Sequence, residues 1–476
     1  MSSRRHPSGS PAADGHGPLN DVPLLDPLDE APEPLPPPPP AGDIEGTSWV
    51  GAVFLIVNAA LGAGLLNFPQ AYDQAGGVAV ALTVQALLLV FIVAALLVLA
   101  ECADHSASAT YQDTVHGLLG TGGLWACSGV VALYCYGTCV TFLIVIRDQS
   151  DVVFSSLFGP RFCHTWYMNH LFTMPASCVL FVLPLCFSRR IDFLKYASSL
   201  GVLAIIYLDG LIAFKYYQGH FQPGPIKHGP DAWTDVFLVM PSICFGYQCH
   251  VSVVPIYSCL RTRTVTNFLR AALTAIAVCV ATYTVAGTFG YLTFGGRVTS
   301  DVLMSYDARD PWVMVGIVAI AVKTYTTYPI LLFCGREAAA RLWVEARGLD
   351  EARAAAGERT RRYVVAFVWF TSSVLLAALV SSIGAVIQLL GSLAALFILV
   401  FPGLCLLRLL LEKDPELVLR KDRWLLTFAV ALVAVGAFVF GVVLTQALQN
   451  DVERLGPPPA DLCRVQHVIA GAPLPG

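Results

Sequence analysis

The residues of this sequence with the most to offer chemically are interruptions in apolar runs. In Asn58-Ala-Ala-Leu-Gly-Ala-Gly-Leu-Leu-Asn-Phe-Pro69, two glycines and a proline fall inside one hydrophobic stretch. Gly62 and Gly64 weaken a helix, and Pro69 removes a backbone donor. A second interruption, Met240-Pro-Ser-Ile-Cys-Phe-Gly-Tyr-Gln-Cys-His250, adds the polar Gln248 and His250. A broken helix frees N–H groups at one new end, which suit a carboxylate, and carbonyls at the other, which suit a cation or an ammonium. Two charged residues also lie inside apolar runs: Asp209, in Ile206-Tyr-Leu-Asp-Gly210, and Lys323. Lys323 stands three and four residues before Thr326 and Thr327, so the three share one helix face. The chemistry on offer is the binding of small ions and polar molecules. A metal site at Cys244, Cys249 and His250 is not expected, because ligands so close in sequence do not converge on this backbone.

These groups must be positioned by membrane-spanning helices. The 476 residues are 56% hydrophobic and only 13% charged, where an ordinary soluble domain carries roughly 25% charge. Mean hydropathy is +0.66. Eleven apolar segments are predicted near residues 49–72, 77–101, 123–147, 170–188, 196–217, 234–257, 268–294, 311–335, 362–380, 383–409 and 424–448, each near the ~20 residues that cross a bilayer. In lipid, backbone groups freed by a break need another partner, so a broken span is tolerated where it is buried or lines a cavity. The two breaks fall in segments 1 and 6. Corresponding breaks in two halves point to an inverted-repeat transporter with a midplane site; a pair of ordinary kinks is the plainer reading.

Residues 1–46 are rich in Pro and acidic residues and read as a disordered tail. Asp21-Val-Pro-Leu-Leu25 within it has the form of an acidic dileucine sorting signal for cytosolic adaptors; a solvated acidic tail is the alternative. Residues 450–476 form a second short tail. With the N-terminus cytosolic, 20 of the 29 Lys and Arg fall on the cytosolic side, against 6 on the other. That bias sets the orientation. The 14 cysteines lie mostly in apolar runs and have no zinc spacing. Cys163 and Cys463 are the only obvious disulfide candidates.

Several of these stretches, in order, resemble those of the sodium-coupled neutral amino acid transporters of the amino acid/auxin permease group. They are Asn58–Pro69, Cys244–His250, Tyr291-Leu-Thr-Phe-Gly295, Asp301-Val-Leu-Met-Ser-Tyr306, Thr326-Thr-Tyr-Pro329 and Phe401-Pro-Gly-Leu-Cys405. The likeness is nearest to the branch that includes a lysosomal glutamine exporter. It implies an all-α polytopic membrane protein with a transporter domain at 47–449: a five-plus-five inverted repeat (about 49–217 and 234–409) with broken helices 1 and 6, and an extra helix at 424–448. It further implies secondary transport of a neutral, glutamine- or asparagine-like amino acid by alternating access. The coupling ion would be Na+ and the membrane lysosomal, with the plasma membrane as the alternative.

For such a substrate, the amides around Gly62, Ala63, Gly64 and Leu65 are expected to hold the carboxylate. The carbonyls around Cys244, Phe245 and Gly246 are expected to hold the ammonium. Tyr134, Tyr136 and Thr138 face the place where the family keeps its site, or else pack helices. Gln248 and His250 could read a side-chain amide, or could simply hydrogen-bond neighbouring helices. For Na+, the resemblance implies Asn58, Thr326 and Thr327, although Asn58 could instead cap the broken helix. Lys323 departs from the family pattern: its ammonium could replace the ion, and an intramembrane pair with Asp209 would give weaker Na+ dependence or H+ coupling; the alternative is that Lys323 snorkels and Asp209 faces water. No enzymatic activity, no cofactor beyond the coupling ion and no nucleic-acid partner are expected. A non-transporting amino acid sensor remains the competing class.

Overall fold

The computed structural model describes residues 46–159, 165–187, 194–348, 357–380, 382–412 and 420–453. The tail motif at Asp21–Leu25, Cys163 and Cys463 lie outside the described residues. Those described are helical almost throughout, and their single β-bridge pairs Thr47 with Leu260.

Apolar sequence and helix caps together determine the elements. Ser48 opens α1 (Trp49–Ala60) by accepting the Gly51 amide at 3.1 Å. The helix stops where the glycines begin: Gly62 is extended, and a single 3₁₀ turn (Ala63–Asn67) leads into α2 (Phe68–Gln74), with Pro69 in its first turn. There Pro69 sits where its missing N–H leaves no helix bond unmade. The axis turns by 51° across this break. Gly76 and Gly77, both at positive φ, make the tight turn into α3 (Val78–His105). The following helices are α4 (Tyr111–Phe158), α5 (His170–Phe181), α6 (Leu183–Cys186) and α7 (Leu194–Gln218).

The second interruption separates α8 (Met240–Gly246) from α9 (His250–Ser258) at Tyr247-Gln248-Cys249. After it come α10 (Val265–Phe294), α11 (Pro311–Arg347), α12 (Glu358–Leu379), α13 (Ile383–Ala395), α14 (Phe401–Leu411) and α15 (Arg420–Glu453). A π-helical turn, Leu396–Val400, joins α13 to α14.

Among the described residues, nine helices are long and apolar enough to cross a membrane, or ten with the bent α1–α2 pair taken as one span. The chain is a polytopic, all-helical membrane protein. The fourth expected segment, near 170–188, is the exception in length. It divides into α5 and α6 ahead of Pro184, and the 12 residues of α5 are too few to span unaided.

The broken helices lie at the centre. α1 packs on α10 and α9, α8 on α13, and α4 on α11. Small residues permit these approaches: a Cβ on Gly391 of α13 would come within 2.4 Å of the Pro241 backbone, and one on Gly287 of α10 within 2.7 Å of the Tyr72 ring. At the end nearer the N-terminus, Thr47 is stitched to the segment that follows α9. Its amide donates to the Cys259 carbonyl at 2.8 Å, and the Arg261 amide donates back to its carbonyl at 3.0 Å. At the opposite end, the Asn67 side chain donates to the Ser300 carbonyl at 3.2 Å and accepts from Ser242 at 2.9 Å. The loop between α10 and α11 is thereby held over the break.

Candidate functional site

Helix α1 ends in carbonyls that its own continuation cannot serve, because the chain leaves helical geometry at Leu61 and Gly62. Two side chains from distant helices meet them. The Tyr283 hydroxyl of α10 lies 2.8 Å from the Ala60 carbonyl oxygen and 2.9 Å from that of Gly246, the last residue of α8. One hydroxyl thus joins the carbonyl ends of both broken helices. The Lys323 ammonium of α11 donates to the Leu61 carbonyl at 2.5 Å. A cation at the C-terminal end of a helix meets the negative pole of its dipole.

Lys323 is 8% exposed, and its aliphatic stem lies against Gly201 of α7, where a Cβ would approach to 3.1 Å of Cγ. The stem needs that glycine to reach the break. The expected pairing with Asp209 is not made. Asp209 faces Thr282 of α10, and its buried Oδ1 has no hydrogen-bond partner. A helix-end carbonyl takes the ammonium instead, because α11 presents Lys323 to the break in α1 while Asp209 faces α10.

The other expected cation ligands are arranged differently from a cage. The hydroxyls of Thr326 and Thr327 donate to the Lys323 carbonyl of their own helix at 2.9 and 2.7 Å. Asn58 is half-buried on α1, one turn before the break.

On the amide side, no backbone acceptor serves the N–H groups of Gly62, Ala63 and Gly64, and the Gly62 amide points at the Tyr283 hydroxyl. A Cβ on Gly62 would meet nothing within 4 Å, whereas one on Gly64 would come within 3.0 Å of the Phe245 ring. Gly62 therefore borders open space and Gly64 is a packing contact. Leu65 is fully buried.

An aromatic wall stands beside the breaks. Tyr134 of α4 lies 6.0 Å from the Phe245 ring and 5.5 Å, edge-on, from Phe397. Phe68 stacks on Tyr283 at 4.3 Å. Thr138 donates its hydroxyl to the Tyr134 carbonyl at 2.8 Å, and Tyr136 packs edge-on against Trp369. Cys244 is buried in α8. Gln248, in the second break, keeps a buried side-chain nitrogen with no partner. His250 is fully buried beside the Ile92 carbonyl at 3.4 Å. No group of three or more His, Cys, Asp or Glu fit to hold a metal is present among the described residues.

Tyr283 and the cluster around Gln85 escape a reading based on breaks and charges. Gln85 of α3 accepts from the Tyr72 hydroxyl at 3.1 Å and donates to Tyr247 and Thr284 at 3.1 and 3.2 Å. It thereby ties α2, α3, the second break and α10 into one buried network. The only sequence signal for it is a polar residue within a long apolar helix.

Against known proteins, the family model for transmembrane amino acid transporter proteins matches residues 45–449. Human sodium-coupled neutral amino acid transporter 7 is 41% identical over 419 residues, 85% of this chain and 89% of that one. Its zebrafish (Danio rerio) counterpart is 40% identical over 414 residues, covering 86% and 88%. Human solute carrier family 38 member 8 is 37% identical over 414 residues, covering 85% and 94%. A solved structure of MhsT in complex with L-phenylalanine matches 85% of this chain at 14% identity, with a TM-score of 0.48.

Proposed function

We propose, on the premise that this chain belongs to the transmembrane amino acid transporter family, that it carries a neutral, glutamine-like amino acid by alternating access around the first break. As a member of that family it is an amino acid transporter and not an enzyme. The amide of Ala63, next to the open space at Gly62, is assigned to the substrate carboxylate, since that of Gly62 already faces the Tyr283 hydroxyl. The carbonyls of Cys244 and Phe245 are assigned to its ammonium, since that of Gly246 already accepts from Tyr283. Gln248, with its unpartnered side-chain nitrogen, is assigned to the substrate's side-chain oxygen. Tyr134 and Phe245 form the wall on which that side chain rests.

The observation that carries the ion reading is the contact between Lys323 and Leu61. An ammonium on the carbonyl end of α1 does there what a coupling cation would do: it neutralises the helix terminus and holds α11 against α1. Transport is therefore read as independent of Na+. The second reading, Na+ coupling through Asn58, Thr326 and Thr327, draws support from the relatives, whose names describe sodium-coupled transporters. The count of basic residues supports a cytosolic N-terminus, and likeness to the lysosomal branch supports an organellar membrane.

Uptake of labelled amino acids into proteoliposomes tests all of this together, with Na+, Li+ and choline exchanged and pH varied. Glutamine flux that is unchanged in choline supports the ammonium reading. Flux abolished without Na+ supports the second. Binding without flux would show a sensor and overturn transport.

A further inference from the structure

A second polar site lies away from the breaks, at the end of α11 that faces the N-terminal side of the protein. Arg336 of α11 is 4% exposed. A guanidinium carries five N–H donors and is never neutral in a protein, yet the carboxylate contact this one makes among the described residues, to Glu337, is long. Its nearest carboxylate oxygen, Glu337 Oε1, is 3.6 Å from Nη2, its Nη1 is buried without a partner, and its carbon lies 4.9 Å from the Phe333 ring centre. A second arginine, Arg362 of α12, stands within its electrostatic reach. The side chain of Arg362 is 10% exposed. It spends Nη1 on Glu358 at 3.1 Å and leaves a buried Nε with no partner. Two like charges, one buried and one nearly so, each with an unserved buried donor, are costly without a further anion between them. Among the described residues, Glu337 and Glu358 are the carboxylates of the cluster, and both are turned outward, with side chains 58% and 41% exposed.

The surroundings identify the anion. Directly after Arg362, α12 shows an exposed apolar face of Tyr363, Val364 and Phe367, with Tyr363 stacked on Phe187 at 5.1 Å. An aromatic residue at the start of an exposed apolar face marks the water boundary of a membrane. Paired guanidinium groups match the geometry of phosphate oxygens, and basic pockets between spanning helices on the cytosolic side take lipid head groups. We propose that Arg336 and Arg362 form a binding site for the phosphate of an anionic lipid head group, wedged between the ends of α11 and α12. It rests on the orientation proposed above only for the choice of leaflet.

Full-length protein in detergent is titrated with short-chain phosphatidylinositol bisphosphate, with phosphatidylcholine of the same chain length and with inorganic phosphate, and its thermal midpoint is followed. The expected result is a saturable rise with the inositide and none with phosphatidylcholine. Arg336→Gln and Arg362→Gln should each weaken half-saturation about ten-fold, as loss of a charged hydrogen bond predicts, and Arg336→Lys should weaken it less. Arg362→Gln, at the start of α12, serves if Arg336→Gln does not fold. An equal response to inorganic phosphate overturns the lipid source, and no response to either phosphate probe, or one unchanged in both Gln variants, overturns the site. Binding is read here without transport, so its failure leaves the transport reading untouched.

Discussion

Replacing Tyr283 with Phe removes one oxygen from the centre of the molecule. The ring is fully buried and stacks on Phe68 at 4.3 Å, and a phenylalanine keeps both features. What is lost is the hydroxyl beside the Ala60 and Gly246 carbonyls and the acceptor facing the Gly62 amide. A hydroxyl has one proton, so only one full hydrogen bond to a carbonyl disappears. A buried polar group left unserved costs about 1–3 kcal/mol. With two carbonyls and one amide sharing the loss, about 2 kcal/mol is expected, roughly thirty-fold in an equilibrium constant. The assay is equilibrium unfolding of the purified protein in detergent, run beside initial uptake in proteoliposomes. Because the hydroxyl joins the ends of α1 and α8, stability and uptake should fall together. A Tyr283→Phe protein within ~0.3 kcal/mol of the parent, inside ordinary additivity error, with uptake unchanged, would refute the idea that this hydroxyl holds the two breaks together.

Four further outcomes follow from the same geometry. Lys323→Ser frees the Leu61 carbonyl, and uptake should become Na+-dependent, read by exchange of Na+ for choline; unchanged cation independence would sink the ammonium reading. Gly391→Ala presses a methyl to within 2.4 Å of the Pro241 backbone, which cannot swing away as a side chain can, so a loss of about 1–3 kcal/mol or more is expected in unfolding. Gly201→Ala should disturb the Lys323 stem, altering the cation dependence of uptake more than its amino acid selectivity; an unaltered ion profile counts against that seat. Asp301 is fully buried in the loop before α11, accepts from Gln149 at 2.6 Å and lies near Asp148. Burial first, and then the Asp148 charge, push its carboxyl up to about 7. Its folded value lies above the unfolded one, so the folded state holds the proton more tightly and stability falls as pH rises from about 4 through about 7, by at most about 1.4 kcal/mol per unit. Asp301→Asn should flatten that slope, which unfolding midpoints at pH 5 and pH 8 would reveal.

The breaks themselves were legible in the residues because their cause is local. Gly62, Gly64 and Pro69 act on the backbone that carries them, and the chain leaves the helix where they stand. Long apolar spans are legible for the same reason, as each satisfies its own backbone within one helix. The fourth segment misled because hydropathy alone does not register that Pro184 ends a helix whose remainder is then too short. The partners of the breaks were not legible. Tyr283 reaches Ala60 across 223 residues and Lys323 reaches Leu61 across 262, and nothing in the periodicity of α10 or α11 encodes which neighbour each faces. Lys323 stood out by its charge, yet its charge suggested a carboxylate partner. The carbonyl it found belongs to a helix end, a group that no side-chain inventory contains.

The stitch between Thr47 and the segment after α9 has a mechanical consequence. Two backbone hydrogen bonds fasten the start of the first broken helix to the end of the second, and a Cβ on Gly46 would come within 2.5 Å of the Arg261 backbone, so the two strands of chain lie flush. Tyr283 fastens the same two helices again near mid-depth. Clamped at two heights, α1 and α8–α9 make a poor pair of independent gates and a good single lever. Lys323, fixed to α11 and touching α1, is the contact that ties this lever to the α4–α11 pair.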